Sequence, residues 1–233
     1  MHGFSRLVFL ALGVCLLLAS WMGCANSGQG HGSFHLWGFA SSEKPVPGVK
    51  TPEQRIAELR AIAKQGPGKN PDEQQRISAE LARQIQQEPD PALRKQILKT
   101  ISIYPTPMAS AVLTAGLSDN DFDVRVVCCA AWGSRGGPEA VQQLTRILSS
   151  DTNTDVRLAA AKALGQTHST GAIVPLADAL VDGDPAMQHR LIESLKMVSG
   201  QDFKGDVNAW REFAKANPNG RPLTVAERIK RFF

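Results

Sequence analysis

Asp155-Val156-Arg157-Leu158-Ala159-Ala160-Ala161-Lys162-Ala163-Leu164-Gly165 is the stretch whose reading decides the fold. Val156, Ala160 and Leu164 recur every four positions, which lines their side chains along one face of an α-helix. Asn153 stands ahead of the run and suits the N-cap, because its side-chain oxygen can accept from the unpaired N–H groups of a first turn. Gly165 follows the last anchor and favours ending the helix there. The same grammar opens three other segments: Asp90-Pro91-Ala92-Leu93-Arg94, Asp121-Phe122-Asp123-Val124-Arg125 and Asp184-Pro185-Ala186-Met187-Gln188. Their anchors Leu93, Val124, Val156 and Met187 are 31, 32 and 31 positions apart.

The register persists inside each unit. Four residues past the anchor stand Ile97, Cys128, Ala160 and Leu191, and eight past it Ile101, Trp132, Leu164 and Leu195. Gly133 takes the place of Gly165 in its own unit. A second apolar stripe follows, with Leu113, Leu144, Leu176 and Trp210 aligned and then Leu117, Leu148, Leu180 and Ala214. Two helices per unit of about thirty residues cannot bury their apolar faces alone, whereas a stack of units shares one core. The expectation is therefore an all-α protein, a right-handed α-solenoid of about four helix pairs.

Asp155 through Gly165 is similar to the short bacterial HEAT repeats of the group named after phycobilin lyases, and Asp123-Val124-Arg125 through Ala131-Trp132-Gly133 follows the same pattern with more drift. The units at Asp90 and Asp184 keep the pattern without the Ala-rich core and the glycine. Near the end, Gly200-Gln201-Asp202-Phe203 and Trp210-Arg211 resemble the closing segment of exported HEAT-repeat proteins of bacteria such as planctomycetes. Arg94, Arg125 and Arg157 form a ladder, one per repeat, which Gln188 interrupts. Taken alone the ladder could bind anions. The resemblance implies that each Arg pairs with Asp or backbone carbonyls at a repeat junction.

Outside the repeats the chain divides readily. Residues 1–24 read as a signal peptide, with Arg6 ahead of the apolar run Leu7 to Ala19 and small residues after it. Gly23-Cys24 resembles the end of a bacterial lipobox, which would make Cys24 the lipidated N-terminus of an exported protein tethered in the cell envelope, outer membrane or periplasm-facing. Trp21 stands where that motif prefers Leu, Val or Ile; ordinary cleavage after Ala25 and an uncleaved membrane anchor are the other routes. Residues 25–50 are rich in Gly, Ser, His and Pro and read as a flexible linker. Residues 51–87 hold two helical patterns opened by Thr51-Pro52-Glu53 and Asn70-Pro71-Asp72, an N-terminal helical cap. Residues 88–217 are the solenoid. Residues 218–233 form a basic amphipathic tail, with Leu223, Val225, Ile229, Phe232 and Phe233 set among Arg221, Arg228, Lys230 and Arg231.

A net charge of +4 in 233 residues, with no dense Lys/Arg face, argues against nucleic acid as a partner. Catalytic, cofactor and metal sites are not expected. Gly-rich phosphate loops, GxSxG and HExxH are missing from the sequence. The enzymes that the resemblance brings in are di-iron hydroxylases, built on His-Glu pairs, and cytoplasmic bilin lyases; His168 is followed by Ser169 and His189 by Arg190. Cys128 and Cys129 are adjacent on one helix, poorly placed to bond to each other, and read as small apolar residues. The preferred reading is a non-catalytic interaction or scaffolding module that presents its second helices to a protein partner, with Gln142, Gln143, Thr145, Arg146 and Asp178 as candidate contact residues. An enzyme subunit on the same scaffold and a self-associating envelope element are the alternatives.

Overall fold

A computed structural model describes residues 48–218; the signal segment with Cys24, most of the linker and the tail from residue 219 lie outside the described residues. Ten α-helices and no strand occur among the described residues: α1 (Pro52–Gln65), α2 (Pro71–Gln86), α3 (Pro91–Ile101), α4 (Pro107–Gly116), α5 (Phe122–Arg135), α6 (Gly137–Ser150), α7 (Thr154–Gln166), α8 (Ile173–Asp178), α9 (Pro185–Ser199) and α10 (Val207–Ala216). The N-terminal signals act as the sequence implies. Thr51 and Gln54 form a reciprocal capping box on α1. Asp90, Asp121, Asn153 and Asp184 each accept a first-turn N–H with their side chains. Proline at the start of α3 and α9 costs no hydrogen bond, because those N–H groups lack helical partners anyway.

The first helices of the pairs stack in sequence order, α1 on α3, α3 on α5, α5 on α7 and α7 on α9. The second helices pack back against them, and α2 lies on α4 as α8 lies on α10. The expected all-α solenoid is thus the observed fold. The residues on all five predicted apolar registers, Leu93 to Met187, Ile97 to Leu191, Ile101 to Leu195, Leu113 to Trp210 and Leu117 to Ala214, are buried in one continuous core. The helix pair α1–α2 caps that core through Leu59 and Leu81, with Ile56, Ile62 and Ile77 half-buried.

One contact fastens the cap to the first repeat. The hydroxyl of Thr100, fully buried on α3, lies 3.1 Å from the carbonyl oxygen of Leu59 on α1 and 2.9 Å from that of its own Gln96. Thr100→Val keeps the shape and leaves the Leu59 carbonyl without that donor. It should cost about 1 kcal/mol, read as a lower urea midpoint with an unchanged slope.

At the other end Trp210 is fully buried. Its ring meets Phe203 edge-on at 4.8 Å between centroids, and Phe213 lies 5.5 Å from Phe203. Trp210 Nε1 donates to the carbonyl of Lys204 at 3.4 Å. These aromatics are packed against one another at the α10 end of the core, with Trp210 and Phe213 buried.

The glycines correct the sequence reading. Gly133 and Gly165 do not end their helices: α5 continues to Arg135 and α7 to Gln166. Both are buried where consecutive first helices cross. A Cβ on Gly133 would lie 2.9 Å from Ala163 Cβ and 3.0 Å from its Cα and carbonyl oxygen. A Cβ on Gly165 would lie 2.9 Å from Ser194 Oγ and 3.0 Å from its Cα. The repeat's glycine is there for close helix approach, not for a left-handed cap. The positive φ at the end of α5 belongs to Gly136 instead.

Candidate binding face

The arginine ladder is the repeat's polar skeleton. Arg94 makes a two-pronged contact with Asp119, Nε at 2.9 Å and Nη2 at 2.8 Å, and its Nη1 donates to the carbonyl of Pro89. Arg125 repeats this one unit on, with Nε 2.8 Å and Nη2 3.1 Å from Asp151 and Nη1 2.8 Å from the carbonyl of Asp119. Each arginine therefore reaches the acidic residue in the loop after its own second helix. That carboxylate also accepts the N–H of the residue capping the next first helix: Asp121 for Asp119, Asn153 for Asp151 and Asp184 for Asp182. Gln188 keeps half of the pattern, donating to the carbonyl of Asp182 at 2.9 Å.

Sequence reasoning named the arginines and the kind of partner, Asp or backbone carbonyls at a junction, but not which carboxylates, and it missed a fourth rung in the cap. Arg55 on α1 pairs with Glu88, whose carboxylate accepts the N–H of Asp90. The signal was present as an acidic residue two positions before each N-cap, in Glu88-x-Asp90, Asp119-x-Asp121, Asp151-x-Asn153 and Asp182-x-Asp184. With its cations committed to these junctions, the ladder is not an anion track.

Electrostatics agree with the geometry. Burial alone would raise the Asp151 carboxyl, but hydrogen bonds from Arg125 and the Asn153 N–H, with the Arg125 charge, hold it below the usual range. Asp119 is held low in the same way against its burial, by Arg94 and the Asp121 N–H.

The third rung differs. Arg157 touches Asp182 with Nη2 alone, at 3.3 Å, and its Nε is buried without a hydrogen-bond partner among the described residues. The second helix that should present Asp182 is broken. Helix α8 has 6 residues where α6 has 14, and it lies between 3₁₀ turns at Thr170–Ala172 and Ala179–Val181. His168, with φ +50°, and the Ser169 side chain, which accepts from the Gly171 N–H, shape the entry to the first of these turns. The shortened helix leaves a groove of about 670 Å³ beside α6, lined by Leu148, Val174, Pro175, Val181 and Met187 with Arg157, Asp178 and Asp182 at its polar edge. Val181, at its lip, is 68% exposed.

Of the five candidate contact residues the fold brings two together: Thr145 and Asp178 both line this groove. Arg146 is exposed on the other flank of α6, in a shallow depression with Asn120 and Asp151. Gln142 is exposed and Gln143 half-buried. Val181 and Pro175 were missed, because only the break in α8 turns such residues toward a groove, and Leu148 was read as core.

Cys128 and Cys129 are free and buried; burial pushes the Cys129 thiol up to about 12 and that of Cys128 higher still. That suppresses the thiolate a nucleophile needs. Glu193 is paired with Lys196 at 3.2 Å, and His168 and His189 are exposed. Among the described residues no group of three or more His, Cys, Asp or Glu side chains is placed to hold a metal ion, and no helix is long and apolar enough to cross a membrane.

Residues 110–196, from α4 into α9, match the family described as HEAT repeats. No curated protein matches the chain.

Proposed function

We propose that the chain, whose residues 110–196 match the family described as HEAT repeats, is a non-catalytic interaction module, exported and tethered to the cell envelope through Cys24, whose second-helix face captures a protein partner. HEAT repeats commonly serve as protein-interaction scaffolds. The observation that carries the reading is the α6–α8 groove: an apolar floor, an exposed Val181 and the Asp178 carboxylate on its rim. An apolar concavity with a few polar groups at its edge suits an inserted side chain or short helix. The carboxylates of Asp178 and Asp182 against the single cation Arg157 favour a partner segment with basic flanks. The signal pattern of residues 1–24 supports export, and the resemblance of Gly200-Gln201-Asp202-Phe203 and Trp210-Arg211 to the closing segment of exported HEAT-repeat proteins supports an envelope setting.

Photo-crosslinking in native membranes tests this. A benzophenone amino acid at Gln142 or at Asp178 should capture the same partner band, and the same group at Met197, exposed on the first helix α9, should not. Identical bands from all three positions, or none from the first two, would exclude partner capture on the second-helix face.

A further inference from the structure

We infer that the α6–α8 groove reads the main chain of its partner: Arg157 donates to a backbone carbonyl of a short segment that lays an apolar side chain on the floor and sets a Lys or Arg beside Asp178. This rests on partner capture at that groove and names the chemistry of the segment captured.

Arg157 is the rung that the stack leaves incomplete. In the first two rungs Nε and Nη2 hold the carboxylate, while Nη1 donates to a main-chain carbonyl, that of Pro89 for Arg94 and that of Asp119 for Arg125. Arg157 makes one contact among the described residues, from Nη2 to Asp182. The carbonyl that Nη1 finds in the other rungs is therefore missing from this one. The Arg157 side chain is also 29% exposed, against 17% for Arg94 and 14% for Arg125, so a segment lying in the groove can reach it. The Thr145 hydroxyl and Arg157 Nε are both buried without a hydrogen-bond partner among the described residues, and both residues line this groove. Native interiors leave few such groups unpaired. Two at one concavity mark a place where an acceptor is absent.

The charges select a carbonyl over a carboxylate. Asp182 already stands beside Arg157, and the exposed Asp178 carries a second negative charge at the rim. An acidic ligand would add to that excess, a neutral carbonyl does not, and a Lys or Arg next to it offsets Asp178. Leu148, Val174 and Met187 form the floor for the apolar side chain between them. Main-chain hydrogen bonds for affinity and side-chain pockets for specificity are a recurring way to hold a short segment.

The test titrates acetyl-Lys-Leu-Leu-Lys-amide into the full-length chain, methyl-labelled at Leu and Val, in a neutral detergent. The methyl signals of Leu148, Val174 and Val181 should shift and saturate, and acetyl-Glu-Leu-Leu-Glu-amide should need several times the concentration. Arg157→Leu decides the role of the arginine. It removes a cation and adds apolar surface, so charge and burial alone would tighten the basic peptide. Loss of the hydrogen bond should instead weaken it by roughly tenfold, the scale of a bond to a charged group, with methyl signals away from the groove unchanged. Tighter or equal binding to Arg157→Leu, equal binding of the two peptides, or no shift at the three residues would overturn the inference. Shifts of the same signals on raising the protein concentration without peptide would place a second copy in the groove and overturn it too. If partner crosslinks at Gln142 and Asp178 accompany any of these results, partner capture stands and only the chemistry assigned to the segment falls.

Discussion

Gly133→Val is expected to lower the stability of the repeat stack by about 3 kcal/mol, the upper part of the usual range for overpacking. Intrinsic helix propensity predicts the opposite sign, because glycine inside a helix is worth up to about 1 kcal/mol less than a residue with a side chain. The geometry decides between them. A Cβ at this position already falls 3.0 Å from the backbone Cα and carbonyl oxygen of Ala163, and a backbone cannot rotate aside as a side chain can. The added methyls would force α5 and α7 apart and open the core between two repeats. For a domain of this size that corresponds to roughly 10 °C in thermal midpoint. Gly183→Ala is the internal control: no atom lies within 4 Å of the position a Cβ would take there and its φ is not positive, so the change should be close to neutral. If Gly133→Val melts with the parent, close helix approach is not the reason for the glycine.

Arg125→Ala is expected to cost a similar amount, about 3 kcal/mol near neutral pH. The side chains of Arg125 and Asp151 are only 14% and 6% exposed, so removing the cation strands a largely buried carboxylate. It also frees the carbonyl of Asp119 and so loosens two junctions at once. The pH dependence identifies the cause. The Asp151 carboxyl is held below its ordinary range, so the stability it contributes is complete above about pH 5 and is lost as pH falls from its unfolded value near 4 toward its lower folded one. The parent should therefore lose stability with acid over that window. The variant, in which burial acts on Asp151 without Arg125, should show a shallower acid limb, and the difference between the two should be largest at pH 7. Arg157→Ala should cost no more than about 1 kcal/mol, since its single 3.3 Å contact joins side chains that are each about one-third exposed. Urea titrations of the three proteins between pH 3 and pH 7 provide the check. Equal losses for Arg125→Ala and Arg157→Ala would mean that the two-pronged geometry does not set the strength of a rung.

Where the information lay in the chain explains both expectations. The apolar registers starting at Leu93, Val124, Val156 and Met187 are properties of spacing, and spacing alone puts side chains on one face of a helix. The caps at Asp90, Asp121, Asn153 and Asp184 are equally local, since each side chain serves an N–H two or three residues ahead. Fold class, repeat length and core membership are therefore written in short windows of the sequence. The partners of the ladder are not. Arg94 and Asp119 are 25 residues apart and meet only because α3 and α4 fold back on each other. The role of Gly133 and Gly165 is likewise invisible without the neighbouring helix, so a local rule about helix ends gave the wrong reason for the right residue.

The groove lies at the far end of this scale. Thr145 and Asp178 could be placed on second helices from sequence, but their meeting depends on α8 stopping at Asp178 and on the turn that carries Val181 outward. That break lies between the 3₁₀ turns at Thr170–Ala172 and Ala179–Val181, where α8 packs against α9 and α10, and no periodicity records it. By itself, then, the sequence determined that this is a stacked helical repeat and which residues form its core, because those are consequences of helical spacing and capping within a few residues. Tertiary structure alone decided which charges pair across junctions, which glycines let helices touch and where the stack opens, because each depends on the distance between segments that only the packed chain brings together.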